Sequence, residues 1–167
     1  MKPVIILLLA FASPVFAQVR TEPLAWEPEH RDLAAGISNA LVGVQVAGTI
    51  YQDVSTWRGG DRKPTYRSGC AIGLALAMSE TLKRAFPEIR PDGSDDKSWP
   101  SGHSAAGAAL SGWRFEFGVP LGAMIGLFRD AANVHHLWVP VTRKVPDIPM
   151  GWFLGAGAQA LCSALIR

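Results

Sequence analysis

This 167-residue chain has no internal repeat and no low-complexity tract, and its runs of β-branched residues are short. The missing repeat excludes a solenoid array. The short β-branched runs, set beside abundant Gly and Ala, favour closely packed helices over sheet. Cysteine is scarce. The two present, Cys70 and Cys162, lie at a separation that matches no metal motif. In an oxidising compartment they can pair, but each sits in an apolar helical stretch, so two buried free thiols are the equal alternative. Excess charge of one sign is also absent. The formal net charge is +2 and falls by one if the leader described next is removed with Lys2. Global charge therefore says little about partners, and no nucleic-acid partner is expected.

Met1-Lys2 forms a short positive start, Val4 to Phe11 an apolar run, and Ser13-Pro14 a break before Val15-Phe16-Ala17. That order is expected of a signal peptide spanning residues 1–17 and cleaved after Ala17; the apolar run is too short to span a bilayer comfortably. Residues 18–167 are then about 150 residues, enough for one domain with its own core. The expected location is outside the cytoplasm, in the periplasm or at the outer face of the inner membrane.

The expected architecture is all-α, a compact bundle of about five helices. After a polar arm from Gln18 to His30, Asp32 caps a first helix running to about Gln52. Leu33 to Gln52 contains no charged residue, roughly the length needed to cross a bilayer. Ser38, Asn39 and Gln45 weaken that reading, and the buried centre of a bundle is the alternative. Trp57 to Arg67, with Gly59-Gly60, Pro64 and the cations Arg58, Arg62, Lys63 and Arg67, reads as a loop. It is either a solvated connector or a patch that attracts an anionic lipid surface or headgroup. Ser68 to Phe86 is the second helix, stopped by Pro87; Ser101 to about Phe117 is the third, broken at Gly118-Val119-Pro120. Leu121 to Arg129 is the fourth and Ile148 to Ile166, again uncharged, the fifth. That last helix either crosses a membrane or fills the core.

The chemistry concentrates between Lys83 and His103. Lys83 precedes Arg90-Pro91 by six intervening residues, and after a loop bearing Asp92, Asp95 and Asp96 comes Pro100-Ser101-Gly102-His103 at a helix start. Lys83 and Arg90 are fixed cations, and an Arg fork suits phosphate oxygens. Ser101 is a good N-cap, Gly102 lets backbone approach a ligand, and first-turn amides attract anions. His103 can give a proton to a departing oxygen. The loop acids lack the regularity of an EF-hand; they are expected to solvate the loop and to hold the cations in place, with no metal and no cofactor.

In that order and spacing, Lys83-x6-Arg90-Pro91 and Pro100-Ser101-Gly102-His103 resemble the phosphatidic acid phosphatase type 2 / vanadium haloperoxidase superfamily. The resemblance runs from Lys83 to roughly Gly155, about half the chain. The family's third pattern, Ser-Arg-x5-His-x3-Asp, is altered. Arg129-x5-His135 matches, followed by a second histidine, His136, as in lipid-phosphatase members. Phe128 replaces the Ser, position 139 is Val, and the next acid is Asp147. Three explanations stand. An inserted loop bulges out and Asp147 returns to orient His135; or Asp130 or Asn133 substitutes as the orienting group, or none exists; or Thr142-Arg143 is the true equivalent and the nucleophile is lost.

The first explanation implies a mechanism. His135 attacks phosphorus and forms a phosphohistidine, Asp147 orients it, and His103 protonates the leaving oxygen, while Lys83, Arg90, Arg129, Ser101 and Gly102 hold the phosphate. The resemblance thus implies an exported metal-independent phosphatase of the acid-phosphatase type. It would act on a phosphomonoester or pyrophosphate, weakly favouring a lipid over a small soluble phosphoester, at a membrane surface or within a bilayer. The alternative is a catalytically impaired phosphate- or lipid-headgroup-binding protein. Haloperoxidase activity is a third reading, disfavoured because those members are usually much larger.

Overall fold

The computed structural model describes residues 28–110, 115–132, 134 and 146–167. The expected leader, most of the polar arm, Asn133, His135, His136, Val139 and Thr142-Arg143 lie outside the described residues. Within them the chain forms five helices and no named strand: α1 Pro28–Arg58, α2 Lys63–Ala85, α3 Gly102–Ala109, α4 Phe115–Ala131 and α5 Asp147–Leu165. The all-α bundle expected from the composition is what forms.

Three helix boundaries differ from expectation, for local reasons. Helix α1 starts at Pro28 rather than Asp32 and runs on past Gln52 to Arg58. Residues 57–67 are accordingly no long loop. The turn is tight, with Asp61 N–H bonded to Thr56 O (3.0 Å), Gly60 N–H to Trp57 O (3.0 Å), and Gly60 at φ +90°. That paired closure needs a left-handed residue, which glycine supplies. Helix α2 then opens at Lys63, with Pro64 in its first turn, where the missing N–H leaves no bond unmade. Asp61 Oδ1 accepts the Lys63 amide at 3.0 Å. Lastly, α3 ends at Ala109, and Gly118-Val119-Pro120 lies inside α4 rather than between helices. A proline so close to a helix start removes a single main-chain bond and can be accommodated.

The core is built from small side chains. Ala71, Ala75, Ala105, Ala109, Ala158 and Cys162 form one buried cluster, so stability comes from close helix approach rather than from bulky residues. The tightest approach is α3 on α5: a Cβ on Gly151 would overlap the Ser101 carbonyl, and one on Gly155 the Ala105 carbonyl. Cys70 and Cys162 pair across α2 and α5, with Cα atoms 5.9 Å apart and a sequence separation of 92. The bridge resolves the open choice between a disulfide and free thiols. Such a long closed loop stabilises mainly by restricting the unfolded chain, by about 2–4 kcal/mol. Reduction, or Cys70→Ser with Cys162→Ser, is expected to lower the thermal midpoint by about 5–15 °C, read by circular dichroism with and without reductant.

Helix α1 is polar inward and apolar outward. Ala34, Ser38, Gln45 and Thr49 are buried and fall on one helical stripe. Ser38 Oγ donates to Ile125 O (3.1 Å) and Gln45 Nε2 to Gly107 O (2.6 Å), tying α1 to α4 and α3. Leu33, Val44, Ile50, Tyr51, Val54 and Trp57 are exposed. So the polar residues that weakened the membrane reading of this segment are the ones that dock it. The buried-centre alternative is corrected for α1, of whose most apolar window only 22% is buried; α5 is likewise long and apolar enough to cross a membrane, with 28% of its window buried, and it also supplies Ala158 and Cys162 to the core.

Candidate active site

Four chain segments bring charged side chains to one end of the bundle. The end of α2 carries Lys83, the 86–100 loop Arg90, the last turn of α4 Arg129, and the first turn of α5 Asp147. Pro87 stops α2 just after Lys83, and the chain loops out and returns so that Glu88 and Lys97 pair in a parallel bridge. Glu88 N–H donates to Asp96 O (2.8 Å), Ser98 N–H to Glu88 O (2.9 Å) and Arg90 N–H to Asp95 O (2.9 Å). Phe86 and Trp99 meet edge to face at 6.0 Å across the loop's base.

That loop positions both of its neighbouring cations. Lys83 Nζ donates to Lys97 O at 2.7 Å. Arg90 Nε meets Asp95 Oδ1 at 2.6 Å, and the same oxygen accepts the Lys97 amide at 2.8 Å. Asp95 therefore acts as expected of the loop acids, fixing Arg90 through one edge of its guanidinium. Desolvation works to raise the Asp95 carboxyl, but the Lys97 amide and the Arg90 contact outweigh it and hold it below its usual value.

Lys83 and Arg129 are 7% and 9% exposed, which is rare for cations. Burial first, and then the Arg90 charge, pull the Lys83 ammonium below the ordinary lysine value of 10.5, against Glu80, Asp95 and Asp147. Burial and Arg90 act on Arg129 in the same direction, opposed by Asp92. Arg129 Nε has no hydrogen-bond partner among the described residues. Arg90 thus sits within electrostatic reach of both Lys83 and Arg129, the two cations largely withdrawn from water. Such a cluster carries a desolvation and repulsion cost that a multiply charged anion relieves.

The floor of the cluster is the start of α3. Ser101 is its N-cap, wholly buried, with Oγ accepting the Ser104 amide at 3.3 Å. Ser101 N–H donates to the Asp147 carbonyl at 2.9 Å, locking the starts of α3 and α5 together. A Cβ built on Gly102 meets nothing within 4 Å, so the first turn of α3 faces open space at that position. His103, in the same turn, pairs its Nε2 with Asn39 Oδ1 of α1 at 3.0 Å. The Asp147 carboxyl is fully buried and its Oδ2 accepts from Ser98 Oγ.

Lys83, Arg90, Arg129, Ser101 and Asp147 are therefore gathered by the fold, with Gly102 and His103 on the adjoining helix turn. His135, six residues beyond Arg129 in sequence, lies outside the described residues. Sequence reasoning missed Ser98, Asn39 and the buried Glu88. Asn39 was noted only as a polar interruption of an apolar helix, and that interruption was the available signal. Ser98 and Glu88 had none.

No protein-family model and no curated protein sequence matches the chain. The crystal structure of LpxE from Aquifex aeolicus is similar in fold, with a TM-score of 0.58 at 15% sequence identity, over 85% of this chain and 90% of that one. The two share an all-α helical-bundle fold.

Proposed function

We propose that this protein is an exported phosphatase that hydrolyses a phosphomonoester or pyrophosphate, of a lipid in preference to a soluble compound, through a phosphohistidine. The observation that carries the reading is the pair of buried cations, Lys83 and Arg129, each within electrostatic reach of Arg90. The LpxE-like fold supports it, as does the outward apolar face of α1, which suits an enzyme at a membrane.

In the proposed reaction Lys83, Arg90 and Arg129 neutralise the non-bridging oxygens, with the Ser101 hydroxyl and Gly102 N–H completing the cradle. A ring nitrogen of His135 attacks phosphorus as the P–O bond to the leaving group breaks, and His103 delivers its proton to the departing alkoxide. Water then attacks the phosphohistidine, His103 takes up a proton, the P–N bond breaks and phosphate leaves. Asp147, on the other ring nitrogen, fixes the tautomer and stabilises the imidazolium. These cations supply the charge that a metal provides elsewhere.

Purified protein should hydrolyse p-nitrophenyl phosphate and a phosphatidic acid, and vanadate should inhibit both. Vanadate binding with no turnover of either would leave an anion-binding protein instead, and vanadate-dependent halide oxidation a haloperoxidase.

Anion binding favours charged Lys83, so vanadate affinity is expected to fall with rising pH, at a pH below 10.5. Lys83→Arg, which keeps its proton, should preserve affinity to higher pH; a pH series of vanadate titrations reads both. The same depression makes the free protein gain stability as pH climbs from the lowered value toward 10.5, because there the unfolded chain binds more protons at this residue.

A further inference from the structure

A second group of cations lies at the opposite end of the bundle, where it cannot share a ligand with the first. Lys63 opens α2 and Lys83 closes it, a separation of about 30 Å along the helix. Arg58, Arg62, Lys63 and Arg67 cluster at the α1–α2 turn against Asp53 and Asp61. They stand among exposed aromatic side chains: Tyr51, Trp57 and Tyr66 are 78%, 42% and 53% exposed. Trp57 and Tyr66 meet edge to face at 6.2 Å, and the Arg62 guanidinium lies 4.8 Å over the Trp57 ring. Beside them runs an open groove of about 250 Å³ lined by Val54, Trp57, Arg58, Thr65 and Asp53. Arg67 Nε donates to Ile166 O at 2.7 Å, which brings the end of α5, with exposed Leu161 and Leu165, to the same place.

The layering is apolar side chains, then amphipathic rings, then cations at the rim. Facing water, that surface leaves large apolar area uncovered. At a bilayer edge every layer is matched, because Trp and Tyr settle at headgroup depth and Lys and Arg reach lipid phosphates. A nucleic acid would satisfy the cations and rings but not the aliphatic surface beneath them. We propose that the α1–α2 turn seats on an anionic phospholipid surface, with Arg58, Arg62 and Lys63 on the lipid phosphates and Trp57 and Tyr66 at headgroup depth.

The test uses the full chain in neutral-detergent micelles, titrated with fluorescent phosphatidylglycerol or phosphatidylcholine at low salt and followed by anisotropy. Phosphatidylglycerol is expected to bind at least about tenfold tighter. Arg62→Gln alone should lose about fivefold of that advantage, and Arg58→Gln/Arg62→Gln/Lys63→Gln essentially all of it. All three positions are solvent-facing, so circular dichroism should be unchanged. Vanadate affinity should be unchanged too; a chain that binds no vanadate would overturn the phosphatase reading and leave the lipid preference still readable. The proposal is overturned if the triple variant keeps the wild-type preference, if Lys83→Gln/Arg129→Gln abolishes it instead, or if single-stranded RNA displaces the lipid.

Discussion

Replacing His135 with alanine is expected to lower turnover of a phosphomonoester by about four orders of magnitude or more. Removing a nucleophile leaves only what binding and charge stabilisation provide, and steady-state hydrolysis of p-nitrophenyl phosphate measures the loss. Asp147→Asn is the informative companion. The carboxyl is fully buried and takes a hydrogen bond from Ser98 Oγ, so the near-isosteric amide keeps its volume while losing its charge. Turnover should fall by about 10³–10⁴-fold, as when an orienting carboxylate is neutralised in a catalytic triad, with vanadate still bound through the cations. If Asp147→Asn hydrolyses substrate at the wild-type rate, Asp147 does not orient the nucleophile, and Asp130 or Asn133 returns as the candidate. Full activity in His135→Ala would remove the phosphohistidine altogether.

The second large effect concerns stability. Gly155→Ala is expected to cost about 3 kcal/mol, a fall in thermal midpoint of about 6–12 °C. The added methyl would overlap the Ala105 carbonyl and lie 2.8 Å from both the Ala108 Cβ and the Ala109 amide nitrogen. Those obstacles are main chain or the root of a side chain, so no rotamer change relieves them and the two helices must separate. Gly36→Ala is the control, because a Cβ there meets nothing within 4 Å. In a helix interior that change should be neutral or stabilising by about 0.5–1 kcal/mol. A thermal midpoint for Gly155→Ala equal to that of Gly36→Ala would mean that α3 and α5 do not pack as closely as described.

Much of the architecture was legible because its signals are local. Pro87 marks the end of α2 to within two residues, and the uncharged stretch near the C-terminus gives α5 to within one. The α1–α2 turn was misread because a run of cations and glycines resembles a loop in composition, whereas Pro64 in a first turn is a helix start. At the candidate site Lys83, Arg90 and Ser101 were legible from their order and residue types, and Arg129 only through the family resemblance. Ser98 and Asn39 were not, since each acts through a partner 49 or 64 residues away, and no periodicity encodes such a meeting. That Asp147 is buried beside Ser98 could not be read from the sequence either. What could be read was that an acid stands next to the start of an apolar helix.

The glycine contacts between α3 and α5 carry a consequence for how such a protein can diversify. With main chain against main chain, and the Ser101 amide bonded to the Asp147 carbonyl, the joint between α3 and α5 leaves no room for a larger side chain at Gly151 or Gly155. Under the proposed function, adaptation to a bulkier or slimmer substrate would fall on the 86–100 loop, whose length and tip can change without disturbing that joint. The candidate site is in this sense a fixed anvil under an exchangeable jaw.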